Sequence, residues 1–276
     1  MRSETRHRHV RVLFAITVFT VTLTSMAWGV TYTAIDLNPS GFDYSCAYGT
    51  SGTQQAGSGT MAGEEHALLW NGSAASCVDL NPSGFYSSAV YGSGGTQQVG
   101  WGAGLSTGGY HALLWNGSAA SYVDLDPTGR FIMSNALGTS GTQQVGWGMG
   151  YDGGHALLWN GSAASYVDLN PSGFDWSEAR GIIGTQQVGG GYGSATGGQG
   201  HALLWNGTAD SYIDLHQFLP DGFTDSFARA IDSSGNIVGN ATDSSGYQHA
   251  ILWEIPEPTT LLLLGLGGLT VLRRRK

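Results

Sequence analysis

Five histidines recur with the same neighbours, as His66, His111, His155 and His201 open the string His-Ala-Leu-Leu-Trp and His249 opens His-Ala-Ile-Leu-Trp. An aspartate recurs in step, at Asp36, Asp79, Asp124, Asp168 and Asp214, each followed by Leu. Imidazoles and carboxylates are metal ligands and proton-transfer groups, so a ring of ligands is one reading. A zinc ion needs three or four ligands within about 2.1 Å of one point, and groups carried by successive repeats stand too far apart for that. The pattern favours a structural His–Asp pairing inside each repeat. It assigns no metal and no cofactor.

Other residues carry weaker chemical signals. Trp101 and Trp147 each follow Val-Gly and would stack on sugar rings if exposed. The unrepeated Glu64, Glu65, Asp152 and His216 could form a carboxylate-based glycan-cleaving site, but nothing in the sequence brings them together. Asp232 to Asn236 and Asp243 to Gly246 lack the full ligand spacing of a calcium loop and are satisfactory turns. Asn71, Asn116, Asn160, Asn206 and Asn240 satisfy the glycosylation sequon, but four of them sit in Asn-Gly, which a tight turn alone explains. There is no nucleophile elbow, no His-Glu-x-x-His and no phosphate loop. With nearly every polar residue reiterated, no catalytic residue is assigned and the chain reads as noncatalytic.

The elements that must position these groups are written in the repetition. The His-Ala strings start 44 to 48 residues apart, and Thr-Gln-Gln recurs at Thr53, Thr96, Thr142 and Thr185. Such a period signals a repeat architecture. With 45 Gly and 11% charged residues, the composition suits short strands and tight turns. Each copy divides into four strands: Ser-Tyr-Val-Asp-Leu, Ser-x-Ala-x-Gly, Thr-Gln-Gln-Val-Gly-Trp-Gly, and His-Ala-Leu-Leu-Trp closed by an Asn-Gly hairpin. In the last strand alternation puts apolar groups on both faces, with Trp70, Trp115, Trp159, Trp205 and Trp253 at its end, so the strand is buried on both sides.

Face-to-face packing of small sheets supplies that environment. The expected fold is all-β, a five-bladed β-propeller of four-stranded units of about 44 residues, with an open β-solenoid as the alternative. The copies span about 31–75, 76–120, 121–164, 165–210 and 211–254. Cut this way the ring has no latch; cut inside the repeat, Tyr32 to Leu37 would pair with the last copy. Cys46 and Cys77 lie in this region and are open to a disulfide, although no spacing rule requires one.

The two ends differ in kind. Arg2, Arg6, Arg8 and Arg11 precede an apolar run from Val12 to about Ala27, the signature of a secretory signal peptide over residues 1–29, expected to be helical and removed. Residues 255–276 hold Pro256-Glu257-Pro258, an apolar stretch from Thr259 to Leu272, and then Arg273, Arg274, Arg275 and Lys276. Fourteen helical residues span about 21 Å, short of the ~30 Å hydrocarbon core, so the tail is a transient inner-membrane anchor with a cytoplasmic C-terminus. Without these ends, residues 30–254 hold eighteen acidic side chains against three basic ones, Arg130, Arg180 and Arg229. So acidic a domain is repelled by phosphate backbones and anionic lipid headgroups, which argues against nucleic-acid binding and leaves cations or neutral glycans as compatible partners.

The tail resembles the PEP-CTERM sorting signal in its three ordered parts. That resemblance implies an exosortase, a membrane enzyme that processes such tails near Pro-Glu-Pro, and a host that makes exopolysaccharide. The fifth copy, from Ser226 to Trp253, resembles the HAF-type extracellular repeat through Ser-x-Ala-x-Ala-Ile, Gly-x-Ile-Val-Gly and His-Ala-Ile-Leu-Trp. The other copies match it less fully. This second resemblance implies an extracellular location and no chemistry. Together the features predict an exported envelope or matrix protein whose repeats bind polysaccharide or neighbouring proteins weakly, with a glycan-active propeller hydrolase or lyase as the alternative.

Overall fold

The computed structural model describes residues 32–255; the segments expected to be a signal peptide and a sorting tail lie outside the described residues. The described chain is all-β, with six short 3-10 turns and no α-helix. Its strands run β1 (Tyr44–Ser51), β2 (Gln54–Met61), β3 (Glu64–Trp70) and β4 (Val78–Asp79), then β5 (Phe85–Gly94), β6 (Gln97–Gly104), β7 (Tyr110–Trp115) and β8 (Val123–Asp124). There follow β9 (Met133–Thr139), β10 (Gln144–Gly150), β11 (Gly153–Trp159) and β12 (Val167–Asp168), then β13 (Trp176–Ile183), β14 (Gln186–Tyr192), β15 (His201–Trp205) and β16 (Ile213–Asp214). The last group is β17 (Phe223–Ile231), β18 (Ile237–Asp243) and β19 (Gln248–Trp253).

Each group is an antiparallel meander. The third and fourth are joined into one eight-stranded sheet by a single parallel bridge between Gly154 and Trp176. Within a meander the first and second strands approach unusually closely. A Cβ added at Gly100 would lie 1.9 Å from the Ala89 carbonyl oxygen, which is why Val-Gly recurs here. The first strand bulges beside it, between Val90 and Gly92.

The phase differs from a division at 31–75. Val78–Asp79, which opens the second sequence copy, is the fourth strand of the first meander, with Leu68 opposite Asp79 and Leu69 opposite Val78. The Asn-Gly sites also differ from the two-residue hairpins expected of them. Asn71-Gly72 begins a longer connection through a 3-10 turn at Ala74–Ser76, held by Ser76 Oγ, which accepts from Asn71 N at 2.8 Å and donates to Ser73 O at 2.6 Å. The second Gln of each Thr-Gln-Gln supports that loop from below. Gln98 is fully buried, with Oε1 accepting from Gly117 N at 2.9 Å and Nε2 donating to Thr96 O at 3.0 Å.

Successive meanders pack face to face. Ala56, Ala67, Leu69 and Leu80 of the first meet Val90, Leu113 and Trp115 of the second, and related clusters join the rest in order. Burying such side chains contributes about 1.5–3 kcal/mol each. A buried serine pins every junction. Ser88 Oγ accepts from Ala67 N at 3.0 Å and donates to Asn81 Oδ1 at 2.7 Å, and Ser134, Ser177 and Ser226 accept likewise from Ala112, Ala156 and Ala202.

The fifth meander breaks the series. It has three strands, and among the described residues nothing pairs with the outer edge of β19. Val238 and Leu252 are 48% and 58% exposed, whereas their counterparts Val99 and Leu114 are buried. The sheets therefore form a propeller-like stack of meanders with no closed sheet.

Candidate functional site

Four of the five histidines make the expected pair. Nδ1 of His66, His111, His155 and His201 lies 2.6–2.8 Å from Oδ2 of Asp79, Asp124, Asp168 and Asp214, tying the third strand to the fourth. Oδ1 of each aspartate accepts from the backbone N–H two residues on, so both oxygens are engaged within the meander. The bond from Asp124 holds the His111 imidazolium and raises its pKa above the ordinary value. His249 has no fourth strand beside it, and its Nε2 instead meets Asp243 at 3.2 Å. Among the described residues no cluster of three metal-ligating groups occurs.

The repeated tryptophans are packing residues here. Trp70, Trp115, Trp159 and Trp205 are at most 1% exposed and Trp253 is 9% exposed. Cys46 and Cys77 are both free thiols, and burial first, then Asp79, pushes the Cys77 thiol up to about 11. The suspected calcium turns are filled by their own backbone: Asp232 Oδ1 accepts from Ser234 N and Asn236 N at 2.8 and 2.9 Å, and Asp243 Oδ1 from Ser245 N and Tyr247 N, both at 2.9 Å. The side-chain amide of Asn236 first, then those backbone bonds, lower the Asp232 carboxyl pKa, and the backbone bond from Tyr247 leads in lowering that of Asp243.

The unrepeated acids do not converge. Glu65 accepts from Ser58 Oγ at 2.6 Å in the first meander, Asp152 holds Arg130 bidentately at 2.9 and 3.0 Å in the third, and His216 stacks on His201 with ring centroids 4.1 Å apart. Burial, and then the His201 charge, lower the His216 pKa.

What does converge is a set the repeat pattern hides. In Ser-x-Ala-x-Gly the first x is Cys46, Ala89, Asn135, Glu178 and Phe227 in the five meanders, and the second is Tyr48, Tyr91, Leu137, Arg180 and Arg229. These positions alternate with a serine and a small apolar residue that are buried in the last four meanders, so they share the opposite side of the first strand. Tyr48, Tyr91, Asn135, Glu178, Arg180 and Arg229 line one cavity of about 720 Å³ to which all five meanders contribute. Trp147 enters it from β10, directly opposite Asn135, and Trp176 from the start of β13, stacked on Tyr192 at 5.7 Å.

Trp101 occupies the position of Trp147 one meander earlier, and the two border a second cavity of about 340 Å³. Trp101 is 8% exposed, meets Tyr110 edge-on at 4.7 Å and donates its Nε1 to Tyr91 Oη at 3.1 Å. Its ring is a wall, while the half-buried Trp147 faces both cavities.

The charge in the large cavity is unusual for this chain. Arg180 and Arg229 are two of the three basic residues between positions 32 and 255. Arg180 Nε is bound by the buried Glu178, and Arg229 Nε donates to Asn240 Oδ1 at 2.8 Å. Both guanidinium carbons stand over the Phe227 ring, at 5.4 and 5.7 Å from its centroid. Asn135 Oδ1 is buried without a partner among the described residues. An aromatic wall with a few aimed polar groups is what a small-ligand or sugar site requires.

The C-terminal sequence matches the family model of the PEP-CTERM protein-sorting motif over residues 254–276. The tail is a PEP-CTERM sorting signal. Such signals are recognised by exosortase, a membrane enzyme, so the chain is an exported protein with a transient, membrane-associated sorting step. Among the described residues no helix is long and apolar enough to cross a membrane. No curated protein matches the sequence. Similar solved structures include TolB from Acinetobacter baumannii, 9% identical over 78% of this chain and 56% of that one with a TM-score of 0.49. They also include a chain of a nidogen/laminin complex, 10% identical over 76% and 80% with a TM-score of 0.47, and the β-propeller domain of the Trilobed protease from Pyrococcus furiosus, 10% identical over 78% and 84% with a TM-score of 0.41. The chain thus spans just over half the length of the TolB chain.

Proposed function

We propose that this is a noncatalytic binding protein of the cell envelope or extracellular matrix, presenting a five-bladed propeller whose cavity takes a saccharide of the exopolysaccharide. The observation that carries the reading is the convergence of the non-repeated positions on one aromatic-walled cavity. Repeated residues build the scaffold, and the residues released from repetition face the ligand. A HAF-type ancestry of the copies agrees with an extracellular location.

Glu178 is the sole carboxylate among the residues lining that cavity. Glycosidases of the usual kind need two, about 5–9.5 Å apart, which favours binding over cleavage. A glycan array with the exported protein, followed by turnover assays on every hit, tests the reading. Binding without turnover is the expected result. Hydrolysis that disappears in Glu178→Gln would establish an enzyme instead.

The same reading includes closure of the ring by Ile35–Leu37 as the missing fourth strand of β19. Asp36 already holds the turn of its repeated counterparts, with Asn38 N donating to Oδ1 at 2.9 Å, while its Oδ2 has no partner among the described residues. His249 lacks the aspartate that the other four own. Leu37 N lacks the acceptor that Ala67 O gives Leu80 N at 2.8 Å, and Ala250 O is the equivalent atom. These one-sided contacts match in register, and Ala47 on the first meander and Ala250 on the last are exposed where their counterparts Val90 and Ala67 are buried.

A further inference from the structure

We infer that the cavity selects a carboxylate-bearing saccharide, a glycan containing uronic acid. This deepens the proposed glycan reading and rests on it. Residues 32–255 carry eighteen acidic and three basic side chains, so most of the surface repels an anion at long range. Against that background, the guanidinium carbons of two of the three cations are brought to 5.4 and 5.7 Å from the centroid of one phenylalanine ring, and a single carboxylate, Glu178, binds one of them, Arg180.

Each guanidinium is fixed through Nε, Arg180 by Glu178 and Arg229 by Asn240, and neither makes a hydrogen bond through its terminal amino groups among the described residues. A guanidinium held at Nε presents its two terminal nitrogens outward as a planar fork. That fork matches the two oxygens of a carboxylate and is much less suited to a neutral hydroxyl. Counting Glu178, the cavity keeps one uncompensated positive charge, which an anionic sugar neutralises.

The rest of the wall completes a sugar site. Trp147 and Trp176 offer ring surface for the apolar face of a pyranose. Asn135 Oδ1, buried and unpartnered, is an acceptor for a sugar hydroxyl. Carboxylate recognition and hydroxyl recognition therefore come from different blades, which fixes the orientation of a single residue of the polymer.

Calorimetric titration of the exported protein with oligogalacturonate, a neutral glucan oligomer of equal length and a sulfated oligomer without carboxylates tests the inference. The expected result is at least tenfold tighter binding of the uronate than of either other oligomer, weakening as salt is raised. Arg229→Gln should weaken uronate binding at least tenfold, with Arg229→Lys restoring part of it. Equal affinity for uronate and glucan, equal affinity for the sulfated oligomer, or a salt-independent uronate affinity would each overturn the inference while leaving glycan binding intact. Binding of none of the three would overturn both readings. If Arg229→Gln does not fold, the Lys variant and the salt series decide the matter on folded protein.

Discussion

His111 Nδ1 and Asp124 Oδ2 lie 2.8 Å apart, thirteen residues from each other along the chain, and join the third strand of a meander to its two-residue fourth strand. So short a strand has only two ladder pairs, Leu113 with Asp124 and Leu114 with Val123, and depends on this side-chain tie. The repeated histidine thus ties two strands of its own meander together.

The tie sets a pH dependence. The folded His111 pKa is raised, chiefly by its bond to Asp124, so its stabilisation is fully present below the unfolded value and is lost as pH rises through the folded one. Asp124→Asn should lower stability by about 1 kcal/mol at pH 5.5, a modest figure because the pair is partly solvated, and by less at pH 8.5. Urea unfolding of both proteins at the two pH values checks this; a cost that grows with pH contradicts the assignment.

The close approach of the first two strands predicts two unequal glycine substitutions. A Cβ at Gly146 would lie 1.9 Å from Asn135 O, so Gly146→Ala must shift backbone and should cost about 3 kcal/mol. Gly117 stands at φ 79° with open space around a Cβ, and Gly117→Ala should cost about 1 kcal/mol. Thermal unfolding of the two variants should rank them in that order, and the reverse order would refute the bulge argument.

Closure of the ring is directly accessible to cross-linking. If Ile35 adds opposite Leu252 as Val78 lies opposite Leu69, Ile35→Cys and Leu252→Cys in a Cys46→Ser, Cys77→Ser background should form an intrachain disulfide under mild oxidation. The product should run as a monomer with one closed loop. Dimers linked between chains, or no bridge at all, would rule out that latch.

The strands were legible in the sequence because period-two alternation in His-Ala-Leu-Leu-Trp leaves no polar face, and the face-to-face packing of successive sheets followed from it. The phase was not, since Val78–Asp79 precedes the next first strand in every copy and only the Ala67–Leu80 and His66–Asp79 bonds show that it belongs behind β3. Asn71-Gly72 misleads because a two-residue turn and the start of a Ser76-capped loop want the same residues. The cavity was missed for a related reason: repeated residues drew the reading toward His, Trp and Asp, while Glu178, Arg180 and Arg229 sit at the x positions of Ser-x-Ala-x-Gly. Comparing the copies for where they differ would have found them.

The non-repeated residues of the first and second strands are proposed to form the ligand site. Intrinsic fluorescence reports on it, because Trp147 and Trp176 line the cavity whereas Trp115, Trp159 and Trp205 are sealed in the interfaces between meanders and Trp70 is buried away from it. Titrating the best glycan from the array should shift the emission of the native protein and leave that of the Trp147→Phe, Trp176→Phe variant unchanged. A shift of equal size in the double variant would place the ligand elsewhere and contradict the account.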